Sequence, residues 1–166
     1  MGRIRDAAAA SGTRIRNLQA GDAPALGSVR LRVLSPPRAY TPGETARNND
    51  SLVLLVEHGR HRFLLTGDAE AATEQELVDR GALPEVDVLK VGHHGSRMST
   101  GDPLIAALRP LFAIISAGED NPYGHPHALT LKRLMAAGVR VRRTDRNGLV
   151  TFRSDGKRLT IFPVMP

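Results

Sequence analysis

Two short stretches of this chain carry residue types that could do chemistry together. Asp68 comes after an apolar run at residues 61–66 and a glycine, and His93 and His94 come after a second apolar run at 86–91 and another glycine. In α/β folds, ligands bind where buried strands end, and glycine lets the backbone turn tightly there. Carboxylate and neutral imidazole are ligands suited to Zn²⁺ or Mn²⁺. The pattern therefore suggests a metal site.

Each of these residues also has a purely structural interpretation. Asp68 stands where it could cap the next predicted helix, although two adjacent histidines after a strand are less easily explained by packing. His125 and His127 flank a proline in a loop that enters a helix. Either His127 caps that helix and His125 is exposed, or His125 lies near the metals as a phosphate contact or proton donor. His58 and His61 fall at a predicted hairpin turn, where we expect them to be solvent-exposed and outside the site.

The elements that must position these residues alternate along the chain. Residues 51–56 and 61–66 predict a hairpin whose strands are buried on both faces. The 35–49 segment is rich in Pro, Gly, Thr and Asn and predicts a loop. Periodicity and end signals predict helices at 3–10, 70–80, 102–108 and 127–137, and further strands at 13–18, 28–34, 86–91, 111–116, 139–143, 149–153 and 158–162. Such an order gives a layered α/β architecture, a mixed sheet covered by helices.

Composition bounds the function in several ways. With 166 residues, 41% of them hydrophobic and 24% charged, the chain is long enough for one globular domain. It has no Cys, which excludes disulfides and thiolate metal ligands. No apolar run has the length of a signal peptide or a membrane span, so the chain as written is expected in the cytoplasm. Its net charge of +6 favours polyanionic partners or reflects an arginine-rich solvated surface.

Five motifs in order resemble a known family. Residues 66–68 (Thr-Gly-Asp) and 92–96 (Gly-His-His-Gly-Ser) resemble the two late metal motifs of the metallo-β-lactamase superfamily. With residues 49–54, 123–127 and 143–148, they resemble the C-terminal metallohydrolase domain of the ComEC competence family. The similarity runs from about residue 14 to residue 166. It implies the late portion of an αββα sandwich.

The resemblance also implies roles for individual residues. A complete domain of this family would hold two Zn²⁺ or Mn²⁺ ions, with Asp68 bridging them and His93 ligating one. His94 is the alternative ligand. Otherwise His94 assists catalysis beside His125. The expected substrate contacts are Ser96, Asn49 and His127.

The implied activity is phosphodiester hydrolysis in DNA during competence-type uptake. The parent family consists of cell-membrane channel proteins that carry this domain outside the cytoplasm, so DNA and the channel portion are the implied partners. The early His-x-His-x-Asp-His motif of the superfamily is missing, since the first histidine is His58. We therefore expect residues 1–166 to form a single, incomplete domain that is inactive alone.

Two other functions fit the same residues. The chain could be a non-catalytic basic module that binds DNA or a channel partner, in which case it would bind no metal. It could also be a stand-alone β-lactamase-like hydrolase, which would turn over a lactam and leave DNA intact.

Overall fold

A seven-stranded mixed sheet organises this chain, for which a computed structural model describes residues 2–41, 43–45, 47–81 and 83–163. The helices are α1 Gly2–Ala10, α2 Ala71–Asp79, α3 Asp102–Leu108, α4 Ala128–Ala136 and α5 Thr144–Asn147. The strands are β1 Ala25–Leu26, β2 Val29–Ser35, β3 Val53–His58, β4 His61–Leu65, β5 Val88–Lys90, β6 Phe112–Ile115, β7 Arg140–Arg143, β8 Val150–Ser154 and β9 Leu159–Pro163. Pro42 and Ala46 of the predicted loop, and Met1, lie outside the described residues.

The strands lie in the sheet in chain order, from β1 to β7. Strands β1 to β4 pair antiparallel, and β4 to β7 pair parallel. Parallel neighbours need a crossover connection, and α2, α3 and α4 lie in the three connections after β4, β5 and β6. The carboxyl ends of β4, β5 and β6 therefore meet at one edge of the sheet. The predicted layered α/β fold is confirmed.

The core lies between the helices and one face of the sheet. Its fully buried side chains are mainly aliphatic, as expected for a chain without Trp, and include Leu55, Leu64, Leu77, Leu89, Leu104, Leu108, Ile115 and Leu134. The opposite face is only partly covered, since Leu65 of β4 is 41% exposed. The prediction that the β3–β4 hairpin is buried on both faces was wrong there.

One predicted strand does not form. Residues 13–18 alternate in polarity, yet they join no strand, and the first backbone bond there runs from Thr13 N to Ala8 O over 2.8 Å at the end of α1. Alternation produces a strand only where a neighbouring strand supplies hydrogen bonds. Among the described residues, no helix is long and apolar enough to cross a membrane.

Strands β8 and β9 form a separate hairpin that packs on the β3–β4 turn. Arg60 N donates to Gly156 O over 3.0 Å, and His61 Nδ1 lies 2.8 Å from Ser154 Oγ. His61 is consequently only 5% exposed. The expectation that His61 is solvent-exposed was wrong, because the distant β8–β9 hairpin covers this turn. Nothing in the local sequence indicates that contact.

Candidate metal centre

The loop after β4 holds Asp68 at the carboxyl edge of the sheet. Thr66 Oγ1 donates to Lys90 O over 2.8 Å, so the ends of β4 and β5 are tied together. Asp68 N donates to Ser51 Oγ over 2.9 Å, which fixes the backbone under the carboxylate. The N-cap residue of α2 is Glu70, so the structural interpretation of Asp68 as a helix cap was wrong. The Asp68 side chain is 44% exposed and accessible to a ligand.

The loop after β5 is a 3₁₀ turn, Gly92–Gly95, with a strained backbone. His93 has φ 45° and ψ 49°, and His94 has φ 53° and ψ 21°. A residue other than glycine in this left-handed region costs on the order of 1–3 kcal/mol. The turn is held in place by close packing, since a Cβ on Gly95 would lie 2.6 Å from Pro126 Cβ. Strain of this kind concentrates at functional sites.

Each of the two adjacent histidines has one ring nitrogen engaged. His94 Nδ1 lies 2.7 Å from Ser116 O, and His93 Nδ1 lies 3.2 Å from Glu70 Oε1. A carbonyl and a carboxylate only accept, so each Nδ1 is the donor in these bonds, and Nε2 is the ring nitrogen left for a metal. Metal-binding histidines typically have this arrangement. Of the two, His94 lies beside the predicted bridging carboxylate, with Nε2 3.7 Å from Asp68 Oδ1.

Glu70 connects His93 to the start of α2, and sequence analysis did not identify it. Glu70 Oε1 also accepts from Asn48 Nδ2 over 2.9 Å. Glu70 N donates to Asn49 Oδ1 over 2.9 Å, and Thr73 Oγ1 donates to the same oxygen over 3.1 Å. The amide oxygen of Asn49 is thus engaged by the protein at the helix start. The available signal for Glu70 was a second carboxylate shortly after the Thr-Gly-Asp motif.

The loop after β6 brings His125 to the same edge. Asn121 holds this loop, since its Oδ1 accepts from His125 N over 2.9 Å and its Nδ2 donates to His125 O over 2.6 Å. The centroid of the His125 ring is 5.7 Å from that of His93 and 6.0 Å from that of Tyr123. Burial, reinforced by the neighbouring histidines, lowers the pKa of His125 and favours its neutral form. Its Nδ1 is buried with no hydrogen-bond partner among the described residues.

Ser96 and His127, the other predicted substrate contacts, make structural contacts. Ser96 is 5% exposed, its Oγ accepts from Met98 N over 3.2 Å, and its carbonyl accepts from Thr130 Oγ1 over 2.9 Å. His127 is the N-cap of α4, where its Nδ1 accepts from Leu129 N over 3.1 Å. The structural interpretation of His127 is confirmed, and contact of either residue with substrate stays a prediction.

Lys90, at the end of β5, places a cation close to Asp68. Its Nζ donates to Val91 O over 2.8 Å. Burial lowers the pKa of Lys90, while the Asp68 carboxylate opposes that shift. A lysine within an apolar strand gives no sequence signal of which neighbour it faces, so this group was missed.

The donors fit a divalent cation in kind but not in their placement. The edge offers the Asp68 carboxylate, two imidazoles with lone pairs on Nε2, and the unpartnered ring nitrogen of His125. Across residues 2–41, 43–45, 47–81 and 83–163, however, no group of three or more His, Cys, Asp or Glu side chains is placed to hold one ion. A zinc site needs at least three protein ligands. As they are placed among the described residues, these donors do not surround a single ion.

Comparison with known proteins agrees with this architecture. Residues 41–119, which include Asp68 and both adjacent histidines, match the family model of the metallo-beta-lactamase superfamily. The chain is 42% identical over 164 residues to ComE operon protein 3 of Bacillus subtilis, covering 99% of the chain and 21% of that relative. It is 41% identical over 133 residues to Recombination protein 2 of Haemophilus influenzae, covering 80% of the chain and 16% of the relative. It is 37% identical over 106 residues to Competence protein ComA of Neisseria gonorrhoeae, covering 63% of the chain and 15% of the relative.

The mixed sheet, the covering helices and the family match define a hydrolase-type domain of the metallo-β-lactamase superfamily. Within that superfamily, the chain belongs to the ComEC-type competence family. It spans between 15% and 21% of the length of these relatives.

Proposed function

We propose that this domain takes part in metal-dependent hydrolysis of phosphodiester bonds in DNA during DNA uptake. The observation that carries the proposal is the convergence of Asp68, His93, His94 and His125 on one edge of the sheet, from three successive loops. The choice of DNA rests on the competence relatives, because this fold also serves other hydrolytic reactions.

Asp68 and one of the two adjacent histidines are the proposed metal ligands. His93 is the ligand that the family motif predicts, and the 3.7 Å approach of His94 Nε2 to the carboxylate favours the alternative. Bound Zn²⁺ or Mn²⁺ would supply a water activated at neutral pH. His125 is proposed to contact a phosphate oxygen or give a proton to the leaving oxygen, and Ser96, Asn49 and His127 to support the rim.

The wider setting is also a proposal. We propose that ligands other than the described donors complete the site, and that the domain works beside a membrane channel portion, outside the cytoplasm. Competence and recombination appear in the names of the relatives. That context makes DNA the substrate to test first.

Metal binding by the full chain tests the proposal directly. After dialysis against Zn²⁺ or Mn²⁺, metal content is measured for the wild type and for Asp68→Asn, His93→Gln and His94→Gln, and cleavage of end-labelled DNA is followed in parallel. Asp79→Asn and His58→Gln serve as matched controls, because both residues lie away from the carboxyl edge. We expect Asp68→Asn to abolish metal uptake. The histidine variant that loses more metal identifies the ligand.

A non-catalytic basic module is the second candidate function. The lack of a three-donor group among the described residues and the net charge of +6 favour it. If the chain takes up neither Zn²⁺ nor Mn²⁺, and Asp68→Asn changes nothing, the metallohydrolase proposal for this chain fails. Retained DNA binding would then support the module.

A further inference from the structure

A basic cleft lies at the opposite edge of the sheet from the metal centre. It has a volume of about 820 Å³ between the β8–β9 hairpin and the amino ends of β5, β6 and β7. Four basic side chains line it against two acidic ones: Arg60, Arg140, Lys157 and Arg158, with Asp87 and Asp155. All four basic residues are exposed. We refer to it as the basic cleft.

The acidic groups in the basic cleft are engaged by the backbone. Asp155 Oδ1 accepts from Lys157 N over 2.8 Å and from Arg158 N over 2.6 Å, and these bonds lower the pKa of its carboxyl. Asp87 Oδ2 accepts from Arg62 N over 2.8 Å. Within the described ranges, no ion pair or side-chain hydrogen bond engages any of the four cations. Their charge is therefore available to a ligand.

The walls of the basic cleft are fixed relative to one another. A Cβ on Gly59 would overlap the backbone of Gly156, so the two turns meet without side chains between them. The ring of Phe112 lies 5.6 Å from that of Phe152, centroid to centroid, which packs the hairpin on β6. The guanidinium of Arg140 lies 4.9 Å from the Phe112 ring centroid. The cations therefore project from a surface whose elements are held in fixed positions by packing.

We propose that the basic cleft binds the phosphodiester backbone of a nucleic-acid strand, without sequence preference. Exposed, separated cations on an open surface suit a chain of phosphates, each contact releasing counterions. A site for one small phosphate would instead enclose its anion among several buried donors, whereas the four cations of this open cleft are all exposed. The guanidinium of Arg140, held over Phe112, adds a planar cationic group on which bases can stack.

The location of the basic cleft gives it a part distinct from hydrolysis. The basic cleft and Asp68 lie beyond opposite ends of β4, whose five residues span about 15 Å of extended chain. A nucleic-acid strand held in the basic cleft would therefore be bound away from the metal centre. Binding there does not depend on metal or on cleavage, so it can be tested separately from the proposed function.

Charge neutralisation in the full chain tests this inference. Arg60, Lys157 and Arg158 are changed together to Gln, because their side chains are exposed and form no ion pair or side-chain hydrogen bond with the described residues. The matched control changes Arg3, Arg5 and Lys132 to Gln, which removes the same charge from exposed helical positions. Binding of a fluorescent oligonucleotide is measured by anisotropy in EDTA at several salt concentrations. Thermal unfolding confirms that each variant is folded.

We expect the cleft variant to bind at least about tenfold more weakly. The slope of the logarithm of its binding constant against the logarithm of the salt concentration should be less steep by about 2–3. Each phosphate that a cation neutralises contributes about 0.7–0.9 to that slope. Arg140→Gln alone should lower the slope by about 1. Equal losses in the cleft and control variants overturn the proposal, because binding would then follow total charge. An unchanged slope also overturns it, as does binding to vesicles of anionic lipid with none to the oligonucleotide.

Discussion

The two edges of the central sheet are built in different ways. At the edge that carries Asp68 and the histidines, here called the metal edge, His93 and His94 stand on left-handed backbone and are oriented by hydrogen bonds to other loops. At the basic cleft, the exposed cations project from turns or, for Arg140, from the start of β7, and none of them forms an ion pair or a side-chain hydrogen bond in the described part of the chain. Metal chemistry needs donors placed within about 0.5 Å, whereas binding a polyanion needs mainly charge density. The difference in construction therefore matches the difference in proposed task.

Buried polar groups brace the metal edge from beneath. Gly92 N donates to Thr100 Oγ1 over 3.2 Å, and Ser99 Oγ donates to Gly92 O over 2.7 Å. Thr100 N and Gly101 N donate to the carboxylate of Glu74, which is 4% exposed. This chain of contacts ties the histidine turn to α2. The β8–β9 hairpin beside the basic cleft is joined to the sheet by the contact between the two glycine turns, by the hydrogen bond between His61 and Ser154, and by the packing of Phe152 on Phe112.

Gly59→Ala should have the largest effect on stability, because it would disrupt the contact between the Gly59 and Gly156 turns beside the basic cleft. Gly59 has φ +58°, and its Cβ would overlap Gly156, so we expect a loss of about 2–4 kcal/mol from backbone strain and steric overlap. Gly27→Ala is the matched control, because Gly27 has φ +60° with nothing within 4 Å. This control substitution should lower the free energy of unfolding by only about 1 kcal/mol. Urea unfolding measures both, and equal costs would contradict the close approach.

Glu74→Gln should lower the free energy of unfolding by about 1–3 kcal/mol at neutral pH. Gln has a single acceptor oxygen, so one of the two backbone donors, Thr100 N or Gly101 N, loses its acceptor. Burial raises the pKa of Glu74 above its ordinary value of 4.5. A raised pKa in the folded state contributes stability below the unfolded pKa, and this contribution is lost as pH rises through the folded pKa. The advantage of the wild type should thus be greatest below about pH 4.5. Urea unfolding from pH 4 to pH 7 checks this, and an advantage that grows with pH would contradict it.

Ser154→Ala should have the smallest effect, about 1 kcal/mol, because it removes the hydrogen bond between Ser154 and His61. We expect oligonucleotide affinity to fall slightly, since the hairpin that carries two of the cleft cations loosens. Metal uptake at the other edge should not change. A change in metal uptake as large as the change in affinity would show that the two edges are coupled.

Much of the fold was predictable from sequence, because strong local patterns coincide with tertiary roles. The apolar runs of β3, β4, β5 and β6, each bounded by Gly, Pro or polar residues, gave strands in the correct order. The helices after β4, β5 and β6 were predicted within a residue or two. Residues 13–18 failed because a strand depends on a partner that the sequence does not specify.

The candidate site was predictable where residue type and position alone mark chemistry, as for Asp68 and the adjacent histidines. Glu70, Lys90 and Ser116 O were missed, since each takes part only through a neighbour brought close by the fold. His61 was expected to be exposed because its turn looks polar, and only packing of the distant hairpin buries it.

The sequence by itself determined the alternation of elements, the family and the residue types at the carboxyl edge. These follow from local periodicity and from motifs that lie within a few residues of one another. Only the tertiary structure decided which ring nitrogen each histidine presents, that His94 lies nearest Asp68, and that scattered cations share a cleft. Those features depend on contacts between residues up to nearly a hundred positions apart, and such contacts exist only once the strands have taken their order in the sheet.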